Sequence, residues 1–176
     1  DKEISAWGLD FGASFRFDAR WRPALTFALG YGSGDDDPTD GVDRNFRQTG
    51  LQENKAKNYG VTRFRYYGEV LDPELSNMLI LTGGFGVRPT KKSSIYLVYH
   101  NSRQDIASDE LRDTDLDEDP NGANKELGDE LNLVIGYRGI KNMKMRLILG
   151  SFYPGSAFTR HTDSSRLAKF RIAYRF

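Results

Sequence analysis

The stretch Arg166-Leu-Ala-Lys-Phe-Arg-Ile-Ala-Tyr-Arg-Phe176 alternates. Phe176, Tyr174, Ile172, Phe170 and Ala168 are apolar, and between them stand Arg175, Ala173, Arg171, Lys169 and Leu167. A period of two is a strand with one apolar and one cationic face. A soluble sheet would lay the apolar face on a core. A strand that runs out on aromatic residues without a polar cap reads instead as the closing strand of a membrane barrel. In such a barrel lipid meets the apolar face and the charged face lines the interior.

The same alternation recurs along the chain. Leu9, Phe11, Ala13, Phe15 and Phe17 keep one parity, as do Leu25, Phe27, Leu29 and Tyr31, and Leu131, Leu133, Ile135 and Tyr137. Eight strands are expected, over Ile4–Asp18, Pro23–Gly32, Thr62–Asp72, Ser76–Pro89, Ser94–Ser102, Glu130–Gly139, Lys144–Phe158 and Ser164–Phe176. Short links (Ala19–Arg22, Pro73–Leu75, Thr90–Lys92, Ile140–Asn142) stand against longer polar ones (Gly34–Val61, Asp105–Gly128, Gly155–Asp163). Short turns on one rim and long loops on the other are what an outer-membrane barrel needs. A soluble up-and-down barrel has the same local pattern. The aromatic load favours the membrane: Phe11, Phe15, Phe17, Phe27, Tyr31, Phe64, Tyr66, Phe85, Tyr137, Phe170, Tyr174 and Phe176 share the expected outer face, too many to leave in water.

Composition agrees. The 176 residues suit one unit, 1–176, and only 38% are hydrophobic. No run reaches membrane-helix length, but a barrel needs apolar residues only at alternate positions. There is no cysteine, so disulfides are excluded. There is no signal segment, which suggests a mature chain or a fragment. The net charge of zero hides a segregation. Eleven acids lie between Asp105 and Glu130, against Arg112 and Lys125, with Arg103 just outside; five more run from Asp35 to Asp43.

The opposite parity on each expected strand carries the chemistry. It holds Arg16, Arg63, Arg65, Arg88, Arg138, Lys144, Arg146, Lys169, Arg171 and Arg175, against Asp10, Asp18 and Glu69. Eight strands enclose an interior just wide enough for side chains, where each stranded charge costs several kcal/mol. The excess therefore argues for a wider, water-filled barrel of which these strands are part. A cationic lumen concentrates anions, and arginines grip carboxylates at two points. Spaced weak contacts let an anionic polymer pass from one to the next. Tyr67 and Tyr96 offer sugar-ring contacts or serve as rim residues.

Three segments resemble the alginate export porin family of the bacterial outer membrane. They are Arg63-Phe-Arg-Tyr-Tyr-Gly-Glu-Val-Leu-Asp-Pro-Glu-Leu-Ser-Asn77, Gly83-Gly-Phe-Gly-Val-Arg-Pro89 and Ser94-Ile-Tyr-Leu-Val-Tyr-His100. The acidic insert and the final Phe-Arg-Ile-Ala-Tyr-Arg-Phe agree. The resemblance implies an eighteen-stranded monomeric barrel with an arginine-rich constriction that exports a polyuronate, and this chain would supply its last eight strands, the C-terminal portion. It implies alginate, lipid and lipopolysaccharide, and periplasmic secretion proteins as partners, with no cofactor. Arg63, Arg65, Lys144 and Arg146 are then the constriction candidates. The family's lumenal plug, folded in from a periplasmic turn, has no counterpart in the short Ile140-Lys-Asn142 link.

Other readings are weaker. Asp117, Asp119 and Asn121 begin a calcium-loop pattern, but Gly128 stands where its final glutamate belongs. They offer at most adventitious Ca2+ in a solvated loop. Barrel enzymes need a histidine beside a serine or carboxylate; His100 and Asn101 point to opposite faces, and His161 lies in a loop. No enzyme is expected. Cations alternating along strands do not make a nucleic-acid stripe. A small anchoring barrel without transport is the alternative.

Overall fold

The computed structural model describes residues 2–48, 54–56, 60–112, 114–159 and 162–176. All regular structure among them is strand: β1 (Glu3–Ile4), β2 (Gly8–Arg16), β3 (Ala24–Gly32), β4 (Val42–Asp43), β5 (Lys55–Ala56), β6 (Phe64–Arg65), β7 (Met78–Thr90), β8 (Ser93–Gln104), β9 (Glu126–Tyr137), β10 (Met143–Pro154) and β11 (Ser165–Tyr174). Seven of them form one antiparallel sheet in the order β11-β10-β9-β8-β7-β3-β2. Among the described residues β2 and β11 stand at its two ends and do not pair with each other. Among the described residues no helix is long and apolar enough to cross a membrane, which says nothing of crossing by strands.

Register follows the alternation. Phe15, Leu25, Phe85, Leu97, Leu133, Leu149 and Ala168 lie opposite one another in turn across all seven strands. Phe15, Phe27, Phe85, Leu97, Leu131, Leu149, Phe170 and Ile172 are exposed, so this face is a bare apolar band. Trp7, Tyr99 and Tyr153 border it toward the long connections, and Trp21, Tyr137 and Tyr174 border it toward the short turns. The connections themselves segregate as expected: 33–77, 105–125 and 155–164 leave one rim, and 17–23, 91–92 and 138–142 the other.

The opposite face is covered. Here the structure corrects the expected third strand, and with it the count of eight: the described sheet has seven strands. Thr62–Asp72 is not a sheet strand. Only Phe64–Arg65 pairs, with Lys55–Ala56, and Pro73–Leu75 is no hairpin link but part of the single long connection from β3 to β7. Residues 60–75 lie across the sheet. Phe64 and Tyr66, expected on the apolar outer face, therefore belong inside: Phe64 is buried against Tyr96, Val98, Val134 and Ile148, and Tyr66 is half-buried against the neighbouring core. Tyr67, Val70, Leu71 and Leu75 make that core with Met78, Ile80, Leu127 and Phe152. Burying four such side chains favours the inserted position by roughly 1.5–3 kcal/mol each.

Small residues in the sheet make room for the segment. A Cβ on Gly30 would stand 2.7 Å from the Tyr67 ring, one on Gly150 2.6 Å from Val70, and one on Gly136 2.8 Å from Thr62. Gly150→Val is expected to displace Val70 and open residues 60–75 to protease in detergent micelles. Leu149→Val, one residue along on the bare face, should leave the digestion pattern unchanged. Equal protection in both variants would contradict this packing.

Candidate functional site

Residues 60–75 are tied to five different sheet strands. The Val61 N–H donates to Ser94 Oγ on β8 (3.0 Å), and Arg146 Nη1 on β10 donates to the Arg63 carbonyl (2.9 Å). Thr82 Oγ1 on β7 donates to the Tyr66 carbonyl (3.0 Å), and the Tyr67 hydroxyl to Asp10 on β2 (3.0 Å). Glu130 on β9 makes the densest tie. Its carboxylate accepts the backbone N–H groups of Glu69 (2.5 Å), Val70 (3.0 Å) and Leu71 (2.8 Å), and Asn132 Nδ2 beside them (2.6 Å). Successive N–H groups converging on one oxyanion form an anion nest. Glu130 is 2% exposed, and a buried carboxylate needs such donors. Sequence reading passed over Glu130, although its parity, opposite to Leu131 and Leu133, already put it on this face.

The expected lumen cations divide into groups. Arg138, Lys144, Arg146 and Arg171 share one cavity of about 390 Å³ near the short-turn rim with Arg63. Arg63 and Arg65 do not come from a strand of the seven-stranded sheet, although that is the sequence expectation; the inserted segment delivers them. Arg65 makes a salt bridge with Asp72. Arg16 and Lys169 close the two ends of one cross-strand row and so lie on opposite end strands. Arg88 donates to the Lys91 carbonyl at a turn (2.6 Å), and Arg175 is exposed beside the β9–β10 turn.

Within the cavity, Arg146 and Arg171 are direct cross-strand partners on the same face. Like charges placed opposite one another destabilise a sheet. None of the described residues lining this cavity is acidic. Glu69 of the inserted segment acts on Arg146 from outside this lining, and an anion between the guanidiniums would offset their repulsion directly.

Acids gather at the other rim. In the 33–77 connection, the Val42 N–H first and Arg44 second hold the Asp40 carboxyl below the ordinary range. Arg47 first and the Asn45 N–H second do the same for Asp43.

A family model described as "Alginate export" matches residues 1–170. The chain belongs to the alginate export family. Its relatives include the "Alginate production protein AlgE" of Azotobacter vinelandii and that of Pseudomonas aeruginosa, each 27% identical across 93% of this chain. The chain spans only 38% and 35% of those two proteins' lengths. The resemblance carried by Arg63–Asn77, Gly83–Pro89 and Ser94–His100 is thereby borne out. The first of these three segments is, for the most part, the one inserted over the covered face.

Other expected sites fare differently in this alginate export family member. His100 is buried, with Nδ1 2.9 Å from Thr82 Oγ1; His161 lies outside the described residues. Asn121 Oδ1 accepts the N–H groups of Ala123 (2.9 Å) and Asn124 (3.0 Å), and its Nδ2 donates to the Ser156 carbonyl (2.8 Å), so it braces its own loop and ties it to the 155–164 connection. Among the described residues no three histidine or acidic side chains converge in a metal-binding group, Asp117 and Asp119 included.

Two tests follow from this geometry. Gly68 has φ +115°, and a Cβ there would stand 2.7 Å from Glu130 Oε2. Gly68→Ala is expected to lower the unfolding temperature in detergent, with a backbone cost of about 1–2 kcal/mol; an unchanged temperature would contradict the nest. For Asp40 and Asp43 the folded pKa is depressed, so their stabilising contribution is present above the ordinary range and lost as pH falls through the lowered values. Carboxyl ¹³C titration should give midpoints below about 3.9, and Arg47→Ala should raise that of Asp43. A midpoint for Asp43 that ignores Arg47 would refute the pairing.

Proposed function

We propose that this chain forms part of the wall of an outer-membrane β-barrel that exports an anionic polysaccharide, alginate, by diffusion through a cationic lumen. The bare apolar band, bordered by aromatic residues, is the surface lipid would meet, and the covered face is the lumen side. The barrel is wider than this sheet; the resemblance implies eighteen strands. The observation that carries the reading is the like-charge pair Arg146 and Arg171, with Arg63, Arg138 and Lys144 around one cavity.

The chemistry of passage is electrostatic and needs no covalent step or cofactor. Each uronate carboxylate meets a guanidinium in two-point geometry. Water around the exposed arginines keeps each contact weak enough to release, since exposed ion pairs contribute only about 0–1 kcal/mol. The acidic long-loop rim repels the polymer once it has passed the arginines, which favours release there. Family membership supports export as the activity.

A plugged anchor without transport is the rival, and the inserted segment is the observation in its favour. The two readings part in a planar bilayer. With a salt gradient across the membrane, the intact protein is expected to give an anion-selective reversal potential, and added polyuronate should block the current. Arg146→Gln with Arg171→Gln should move the potential toward zero and weaken the block by roughly tenfold, the equivalent of about 1.4 kcal/mol. Cation selectivity, or no conductance at all, would refute export through this face.

A further inference from the structure

We propose that Glu130 is the positioning residue of the cationic site. Its carboxylate holds residues 69–71 against the sheet, and this hold keeps Arg63 beside Arg138, Lys144, Arg146 and Arg171 and narrows the passage. The inference rests on the lumenal reading of that face.

Three observations carry it. First, the segment delivers a site residue. Arg63 lines the cavity although it belongs to no sheet strand, and its carbonyl accepts Arg146 Nη1 at 2.9 Å. A shift of the segment therefore moves one site arginine and releases another. Second, the ties are unequal. Ser94, Thr82, Asp10 and Arg146 hold the segment at separate points, whereas Glu130 takes three of its N–H groups in succession. Hydrogen bonds to an ionised acceptor are also stronger than neutral ones. Third, the grip has no slack. Gly68 already lies against the carboxylate, and Asn132 Nδ2, 2.6 Å away, fixes it from its own strand.

Glu130 does not line the cavity itself. It acts through the backbone it holds. The connection between β3 and β7 thus serves as a constriction element whose seat is built into β9.

The test uses the intact protein in a planar bilayer, with conductance and reversal potential recorded together across a salt gradient. Glu130→Ala should raise the conductance and move the potential toward zero, and Glu130→Gln, which keeps one accepting oxygen, should fall between it and the wild type. A covalent tie separates positioning from general damage. A Cβ on Gly60 would lie 3.4 Å from the Ser94 Cβ, near the roughly 3.5–4.5 Å of a disulfide, and the chain has no other cysteine. Gly60→Cys and Ser94→Cys are therefore added to Glu130→Ala. Oxidised, this triple variant should regain the wild-type conductance and selectivity; reduced, it should behave as Glu130→Ala.

That within-protein comparison holds even if Glu130→Ala alone assembles poorly. An anion-selective wild type matched by Glu130→Ala would overturn the proposal, as would a triple variant indifferent to reduction. A wild type without anion selectivity would overturn the reading of the site instead, and the conductance change on reduction would still decide the grip.

Discussion

A buried carboxylate needs donors in place of the water it has lost, and Glu130 takes three of its four from backbone that belongs to another part of the chain. That arrangement links two levels of structure. The sheet is specified by alternation and would form one bare and one polar face whatever lay on it. The inserted segment is specified by what the polar face offers: a carboxylate at Glu130, hydroxyls at Ser94 and Thr82, and gaps at Gly30, Gly136 and Gly150. A buried donor left without its acceptor typically costs about 1–3 kcal/mol, a sizeable share of a stability margin of roughly 5–15 kcal/mol.

The charges are arranged along the strands as well as across them. Cations concentrate on the covered face toward the short turns, and acids on the long connections at the other rim. Between them the covered face is buried and mixed, with Ile80, Val98, Val134 and Ile148 standing beside Thr82, His100, Glu130 and Asn132 under the inserted segment. The neutral net charge of the chain therefore conceals a layout that is polarised along the strands. This layout places the arginines where water still reaches them, which suits transient contacts with a polyanion better than permanent ion pairs.

The sequence made most of the sheet legible because a period of two leaves little freedom once one face is apolar. Arg166–Phe176 and Glu130–Gly139 alternate cleanly, and their pairing puts each residue on the expected side. Thr62–Asp72 misled for a physical reason. Arg63, Phe64, Arg65 and Tyr66 also alternate, but over too few residues to form a sheet strand. Beyond them Gly68 takes a left-handed turn, and Tyr67, Val70 and Leu71 are all buried, which a two-faced strand would not require. Arg63 was identified as a site residue for the right chemistry on the wrong element. Glu130 was overlooked because a lone acid on a strand carries no motif; its role appears only when a distant backbone folds onto it.

Three distinct environments lie along one strand, and spin labels placed singly from 144 to 153 on β10 of the intact membrane-embedded protein would separate them. Oxygen partitions into lipid, and a nickel chelate stays in water. Labels at 145, 147 and 149 are expected to relax with oxygen, labels at 144 and 146 with nickel, and labels at 148, 150 and 152 to respond weakly to both because the inserted segment covers them. Strong nickel accessibility at 148, 150 and 152 would show that the segment does not lie on this face. Loss of the alternation altogether would contradict the two-faced sheet itself.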